Sequence, residues 1–175
     1  MSLPQNIDWQ SLANQLGLIT STERGWTESG GARAGLEALE NLPGADAIRA
    51  SVDYYISGEP GSELARSVLW LLHPRSAMDR CHQIYLEADQ VEDRRAAVEL
   101  LRVVADSHAL QWIPLYLNDP DDQTQMWGIC IVDQLLTSSL VNSDDCAAIL
   151  TAAASHPNEH VREKATWVRT NLTGL

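Results

Sequence analysis

A chain of 175 residues with 45% hydrophobic and 21% charged residues can bury the core of one domain and does not have the composition of a disordered segment. Its net charge of −12, with eleven arginines and a single lysine, opposes binding to phosphate backbones and to anionic membranes. We therefore expect a protein or peptide partner rather than nucleic acid or a membrane, and a basic partner would be steered towards the chain.

The cysteines Cys81, Cys130 and Cys146 form no CxxC pair, and each lies in a segment with helical periodicity. This pattern favours reduced, packed thiols over a disulfide or zinc framework. The opening "MSLPQNIDWQ" has no basic region followed by an apolar one, and the longest apolar run, "MWGICIV", is too short to span a bilayer. We therefore predict a cytoplasmic location.

The first 31 residues are predicted to form a helix and then a flexible loop. In "DWQSLANQLG", Asp8 is suited to cap a helix and Gly17 to end it. Residues 17–31 are rich in Gly, Ser and Thr, which is typical of a loop. Trp26 falls in this loop, where an exposed tryptophan would be a candidate binding anchor. Burial in the core is the alternative for this side chain.

Residues 32–175 are predicted to form a single helical domain, since no stretch alternates polar and apolar residues for long enough to indicate a strand. The predicted helices are 32–41, 45–57, 61–72, 76–88, 91–105, 108–118, 121–138, 144–155 and 158–172. Short links that contain proline, glycine or capping residues separate them, so consecutive helices should lie antiparallel.

A repeat is visible within this helical region. The segments that begin at Asp119 and His156 align at an offset of 37 residues, with Pro120 opposite Pro157, Gln125 opposite Arg162, Gly128 opposite Ala165, and Leu135 opposite Leu172. Two earlier helices place Arg66 and Arg94 at the same arginine position. A recurring unit of this length indicates stacked helical hairpins.

On these residues the chain resembles HEAT-repeat and related armadillo-like proteins, and in particular short bacterial HEAT-like proteins. The best match is "HPNEHVREKATWV", through Pro157, Val161, Arg162 and Ala165, whereas Thr124 and Gln125 depart from the valine and arginine of the family pattern.

The resemblance implies an all-α fold, a right-handed α-α superhelix (solenoid) of four to five helical hairpins with the N-terminal helix as a cap. The second helix of each pair would line the concave side. These second helices are 61–72, 91–105, 121–138 and 158–172.

The acidic segment "NDPDD" at 118–122 has two interpretations, a cation site or the start of a helix. A calcium loop needs a central glycine and a terminal glutamate, but no glycine follows until Gly128 and no glutamate until Glu159. We therefore expect Asp119 and Asp121 to cap the next helix. The resemblance further implies that a turn aspartate pairs with an arginine of a neighbouring repeat, with Arg94, Arg95 and Arg162 as candidates.

No residue pattern predicts a catalytic, cofactor-binding or metal-binding site. "HPNEH" places His156 and His160 four residues apart, but the glutamate is in the wrong position for a zinc-protease helix. The sequence also lacks G-x-S-x-G and G-x-G-x-x-G motifs. We therefore expect a protein that is not an enzyme.

The predicted function is a non-catalytic module that binds a protein or peptide partner on its concave or loop surface. On the helix that begins at Val91, Arg95, Glu99 and Arg102 should point outward along one stripe, and they are the candidate contacts together with Trp26. A solvated charged face is the alternative reading of that stripe.

Two further functions stay open. A small acidic protein is suited to neutralise a basic effector, as immunity proteins do. A HEAT-like enzyme, such as an alkylpurine DNA glycosylase or a bilin lyase, is a lesser alternative that no motif singles out.

Overall fold

The computed structural model describes Gly17, residues 19–22, residues 25–28 and residues 44–173. From residue 45 onwards the chain is a series of helices joined by short turns. They are α1 (Ala45–Ile56), α2 (Ser62–Leu72), α3 (Arg75–Glu87), α4 (Val91–Val104), a 3₁₀ turn (Ser107–Trp112), α5 (Ile113–Leu117), α6 (Asp122–Thr137), α7 (Ser143–Ala153), α8 (Glu159–Val168) and a π-helical turn (Arg169–Thr173). Within the described part of the chain, no helix combines the length and apolarity needed to cross a membrane.

A short β-hairpin precedes the helices. Strands β1 (Ile19–Thr22) and β2 (Gly25–Glu28) pair antiparallel, with Ile19 opposite Glu28 and Ser21 opposite Trp26. The prediction of a flexible loop over 17–31 was therefore wrong at these residues, and Trp26 lies in a strand. The Thr residues and the tryptophan favour extended backbone, which the loop interpretation gave too little weight. The predicted helices at 8–16 and 32–41 lie outside the described residues.

The predicted helices from residue 45 onwards are confirmed within one or two residues at most ends, apart from the segment 108–118. That segment divides into the 3₁₀ turn and α5, and Pro114 lies in the first turn of α5. Proline lacks an N–H group and is tolerated only at the start of a helix, so one continuous α-helix cannot pass through it. The Asp106 side chain accepts a hydrogen bond from the His108 amide and starts the 3₁₀ turn.

The helices pack as four consecutive pairs, α1 with α2, α3 with α4, α5 with α6, and α7 with α8. We call the first member of each pair a first helix and the second member a second helix. The second helices also contact one another in order, α2 with α4, α4 with α6, and α6 with α8. Among the first helices, α1 contacts α3 and α5 contacts α7.

The core lies between these helices and depends on small residues at equivalent positions. Ala97, Gly128 and Ala165 occupy the small-residue position of the predicted repeat, and all three are buried. A Cβ atom at Gly128 would lie 2.9 Å from the Tyr116 Cβ, so only glycine allows α5 and α6 to approach this closely. Gly128 therefore determines how closely α5 and α6 approach.

The three cysteines are free thiols. Cys81 and Cys146 are buried and Cys130 is half-buried. Burial raises the pKa of all three thiols, and that of Cys146 rises to about 11. The fold therefore keeps the thiols at these positions packed and protonated.

Candidate interaction surface

A row of charged and aromatic side chains crosses the second helices, and we call it the second-helix row. Each of its contacts joins one second helix to the next. These contacts are Arg66 of α2 with Glu99 of α4, Arg102 of α4 with Trp127 of α6, and Asp133 of α6 with Lys164 of α8. The charged members have 15 to 29% of their side chains exposed, so they are shielded from water but remain within reach of a partner.

Glu99 links three helices. Its carboxylate accepts hydrogen bonds from Tyr55 Oη at 2.5 Å, from Arg66 Nη2 at 3.0 Å and from Arg102 Nη2 at 3.2 Å. Burial raises the pKa of the Glu99 carboxyl, but these hydrogen bonds and the nearby positive charge of Arg66 outweigh burial and lower the pKa overall. Burial and the same carboxylate raise the pKa of Tyr55, which therefore stays a donor.

The Arg102 guanidinium is held from two sides. It donates to Glu99, and its Cζ lies 5.2 Å from the centroid of the Trp127 ring, which is a cation–π arrangement. Its Nε atom is buried and has no hydrogen-bond partner among the described residues. Arg102 is thus fixed in place while part of its donor capacity stays unused.

At the other end of the row, Lys164 and Trp167 lie together on α8. The Lys164 Nζ is 2.6 Å from Asp133 Oδ2 and 4.5 Å from the centroid of the Trp167 ring. Trp167 is 47% exposed. A half-exposed tryptophan next to a fixed ammonium group is a side chain of the kind that dominates protein interfaces.

The aspartates of "NDPDD" cap a helix and join two hairpins. Asp121 is the N-cap of α6 and accepts a hydrogen bond from the Thr124 amide at 2.8 Å. Arg95 Nε and Nη2 donate to its two oxygens at 2.9 and 2.5 Å. The hydrogen bond from Arg95, helped by those from Thr124, holds the pKa of Asp121 well below its usual range despite partial burial.

Asp119 is buried and its oxygens are also occupied. It accepts hydrogen bonds from Tyr85 Oη at 3.0 Å and from the Asp121 amide at 2.8 Å, and Arg94 Nε lies 4.0 Å away. In the described part of the chain, no group of three or more His, Cys, Asp or Glu side chains is placed to hold a metal ion. The capping prediction is confirmed for Asp121, the N-cap of α6, whereas Asp119 accepts from the Asp121 amide and from Tyr85 instead.

The turns before α4, α6 and α8 lie side by side, and we call residues 87–93, 118–122 and 156–159 the turn edge. The Arg95–Asp121 pair joins α4 to the second of these segments. Asn158 Nδ2 donates to Gln125 Oε1 at 2.9 Å, and this contact joins the third turn to α6. Arg162 is not a partner of a turn aspartate, because its Nη1 donates to the carbonyls of His156 and Pro157 in its own turn.

The charges of the turn edge are unevenly paired. The arginines next to the edge already have partners within the fold. Arg95 forms an ion pair with Asp121, and Arg94 contacts the Ala88 carbonyl and Asp119. Arg162 donates hydrogen bonds to backbone carbonyls. Several carboxylates of the edge are exposed and form no ion pair with a described residue. They are Glu87, Asp89, Glu92, Asp122 and Glu159. The edge therefore presents surplus negative charge to solvent.

The structure separates Arg95 from Glu99 and Arg102, three of the four predicted contact residues. Glu99 and Arg102 belong to one cluster, whereas Arg95 pairs with Asp121 at the turn edge. The expectation of one outward stripe was wrong for Glu99, because its carboxylate points into the junction of α1, α2 and α4. Trp26 lies in β2, and its side chain is outside the described part of the structure.

Sequence reasoning missed several members of the second-helix row. Tyr55 and Arg66 contact Glu99 across 44 and 33 residues of chain, a separation at which no local pattern operates. Trp127 and Lys164 fall on the same side of equivalent second helices, each one residue before the small position, Gly128 or Ala165. The repeat alignment places these two residues at equivalent positions and could have identified them. The hydrophobic character of α6 instead favoured full burial of Trp127.

Comparisons of the chain with protein-family models, with curated proteins and with solved structures give no match. The candidate functional features of the described residues are therefore the second-helix row and the turn edge.

Proposed function

We propose that the protein is a non-catalytic interaction module, a HEAT-like right-handed superhelix of helical hairpins whose second helices line the concave side. The order of contacts supports this arrangement, because each second helix packs on its own first helix and on the next second helix. An array of this kind buries its helices against neighbours and leaves one extended surface for a partner.

The second-helix row carries the proposal, since its contacts join α2 to α4, α4 to α6 and α6 to α8. Its members include arginines and tryptophans, the residue types most enriched at protein-binding hot spots. Arg102 and Lys164 are already held in place by Trp127, Asp133 and Trp167, so binding would cost little side-chain entropy. The proposed ligand is a protein or peptide that lies along this row.

Photo-crosslinking from the row tests the proposal. A photoreactive amino acid would replace Trp167, and in a matched control it would replace Leu86, which is 60% exposed on the first helix α3. We expect an adduct with a host protein from position 167 and none from position 86. Equal adducts from both positions, or none from either, would contradict a binding face on the second helices. A substrate screen for the HEAT-like enzyme alternatives would then follow.

A second candidate function is that of an acidic protein that neutralises a basic effector, and the turn edge favours it. The edge has exposed carboxylates without ion pairs, while its arginines are engaged within the fold. A basic partner would be attracted to this edge over a distance of about 10 Å at moderate salt.

Association kinetics distinguish this candidate. Asp122 on the turn edge and Asp144 at the start of α7 are both exposed acids in the first turn of a helix. Asp122→Asn should slow capture of a basic partner more than Asp144→Asn does, and high salt should remove the difference. Equal rates for the two variants at low salt would exclude the turn edge as the steering surface.

A further inference from the structure

The second-helix row uses one arrangement twice, in which a cation contacts a tryptophan ring and a carboxylate at the same time. The ring attracts the cation through its electron-rich face, and the carboxylate neutralises the positive charge. The two groups are Arg102 with Trp127 and Glu99, and Lys164 with Trp167 and Asp133. The row is therefore suited to hold cations between an aromatic ring and an acid.

Trp167, at the end of the row, has an acidic neighbour on its other side. Residues three and four positions apart are neighbours on a helix surface, and a helical side chain leans towards the N-terminus. Lys164, three residues before Trp167, and Glu163, four residues before it, therefore flank this side chain from opposite sides. The Lys164 Nζ lies 4.5 Å from the ring centroid. Glu163 and Trp167 line one open groove on the surface of α8, whereas Lys164 does not.

This groove has a volume of about 530 Å³ and an acidic lining. Glu159 and Glu163 supply two carboxylates, and Arg162 is the only lysine or arginine among the described residues that line it. The Arg162 Nη1 donates to the carbonyls of His156 and Pro157, so this guanidinium is directed towards its own turn. The surplus negative charge of the groove and the net charge of −12 on the chain favour a positively charged occupant.

The Glu163 carboxylate and the Trp167 ring are both accessible. The Glu163 side chain is 67% exposed and forms no ion pair with a lysine or arginine in the described part of the chain. The Nδ1 of His160 lies 3.6 Å from it, which is too far for a hydrogen bond. Trp167 is 47% exposed although Lys164 lies over its ring. The groove thus has the ring and the acid of the recurring arrangement, with room for a cation from outside the chain.

We propose that this groove binds a basic side chain of the protein partner between the Trp167 ring and the Glu163 carboxylate. The cationic group completes a third arrangement of ring, cation and acid, next to the one that Lys164 forms with Trp167 and Asp133. A guanidinium suits this position, because it stacks on a ring while its N–H groups donate to a carboxylate. The inference rests on the proposed function and names the chemistry of the partner at the α8 end of the row.

A titration of the full chain with a defined probe tests the proposal. The probe is a blocked tripeptide with a central arginine, and its control contains citrulline, which keeps the planar group but has no charge. Binding is followed by the indole N–H signal of Trp167 in two-dimensional NMR, which Trp167→Phe identifies. We expect the arginine peptide to bind at least about threefold more tightly than the citrulline peptide, because the cation–π contact and the exposed ion pair each add a small amount.

A charge-matched pair of variants locates the site. Glu163→Gln should weaken binding of the arginine peptide by about threefold and leave binding of the citrulline peptide unchanged. Glu63→Gln removes the same charge from an exposed position on α2 and should change neither affinity. Both side chains are exposed, so neither change disturbs the core.

Three results would overturn the proposal. They are equal affinities of the two peptides for the natural chain, equal effects of Glu163→Gln and Glu63→Gln, and shifts of other indole signals without that of Trp167. These readouts need no host protein, whereas crosslinking from position 167 does. A crosslinked partner without an arginine preference would refute only the basic chemistry of the groove. An arginine preference without a crosslinked partner would contradict only the proposed function.

Discussion

Arg95, the fifth residue of α4, donates two hydrogen bonds to Asp121, the residue that caps α6. The same carboxylate accepts a hydrogen bond from the Thr124 amide. One side chain thus starts a helix and joins it to the preceding hairpin. The acidic segment between α5 and α6 therefore has a structural role, since it caps α6 and joins it to the preceding hairpin.

Replacing Asp121 should destabilise the fold. Asp121→Ala removes a helix cap and a two-point hydrogen bond to an arginine, so we expect a loss of about 2 kcal/mol in the free energy of unfolding. Urea denaturation measures this loss. The control is Asp122→Ala, which removes an exposed acid from the next position and should cost less than about 1 kcal/mol. Equal losses would contradict the cap and ion-pair roles.

The contribution of Asp121 should depend on pH. Its pKa in the folded state lies well below the usual value, so the folded protein favours the ionised form more strongly than the unfolded chain does. The resulting stability is complete above the unfolded pKa of about 3.9 and is lost as pH falls below it. The difference in unfolding free energy between the natural protein and Asp121→Asn should therefore shrink between pH 6 and pH 2.5. A constant difference would refute this linkage.

Glu99→Gln should weaken the junction of α1, α2 and α4. Glutamine keeps an acceptor for Tyr55 but leaves Arg66 and Arg102 without a carboxylate, and a hydrogen bond to a charged group contributes about 1.5–3 kcal/mol. We expect a loss of about 2 kcal/mol by urea denaturation. Glu63→Gln, an exposed change on α2, should cost almost nothing. If both variants are equally stable, Glu99 does not hold these helices together.

Gly128→Ala should destabilise the protein although alanine favours helices. The added Cβ would lie 2.9 Å from the Tyr116 Cβ, so α5 and α6 must move apart. Overpacking of this kind costs about 1–3 kcal/mol and outweighs the helix-propensity gain of about 1 kcal/mol. Thr137→Ala, an exposed change near the end of α6, should be neutral or slightly stabilising. A Gly128→Ala variant as stable as the natural protein would contradict the close approach of these helices.

His82 should make stability fall in mild acid. Its ring stacks on Trp112 with centroids 4.3 Å apart, and its Nδ1 lies 2.8 Å from Tyr116 Oη. Burial lowers the pKa of His82, although Asp79 opposes the shift. The unfolded chain therefore binds the proton first, and stability is complete above pH 6.5 and decreases below it, by at most about 1.4 kcal/mol per pH unit.

Thermal unfolding at pH 7.5 and 5.5 tests this prediction. The drop in Tm between the two pH values should be smaller in His82→Gln than in the natural protein. His160→Gln, whose side chain is 77% exposed, should keep the natural drop. An identical drop in all three proteins would show that His82 does not contribute to the pH dependence.

The helices from Ala45 onwards follow from local chemistry that the sequence displays. Asp121 and Asn158 cap the helices that they precede, and Pro74 and Pro157 stand in the links where helices end. These signals act over three or four residues, so the helix boundaries can be predicted from the sequence alone. The pairing of Asp121 with an arginine was predicted from the resemblance, and Arg95 proved to be the partner.

The candidate surface was far less predictable. Glu99 depends on Tyr55 and Arg66, which reach it only because α1 and α2 pack against α4. The apolar surroundings of Trp127 in the sequence predict full burial. Helix packing instead leaves its side chain partly exposed beside Arg102. The β-hairpin was missed because its four-residue strands are too short to show a clear alternation.

The central claim is that a partner binds along the second-helix row, and affinity capture from host lysate tests it most directly. The baits are the natural chain, a row variant with Arg66→Ala and Trp167→Ala, and a Leu86→Ala control. We predict one host protein that the natural chain and the control retain and that the row variant loses. Retention by all three baits, or no retained protein at low or high salt, would contradict the account.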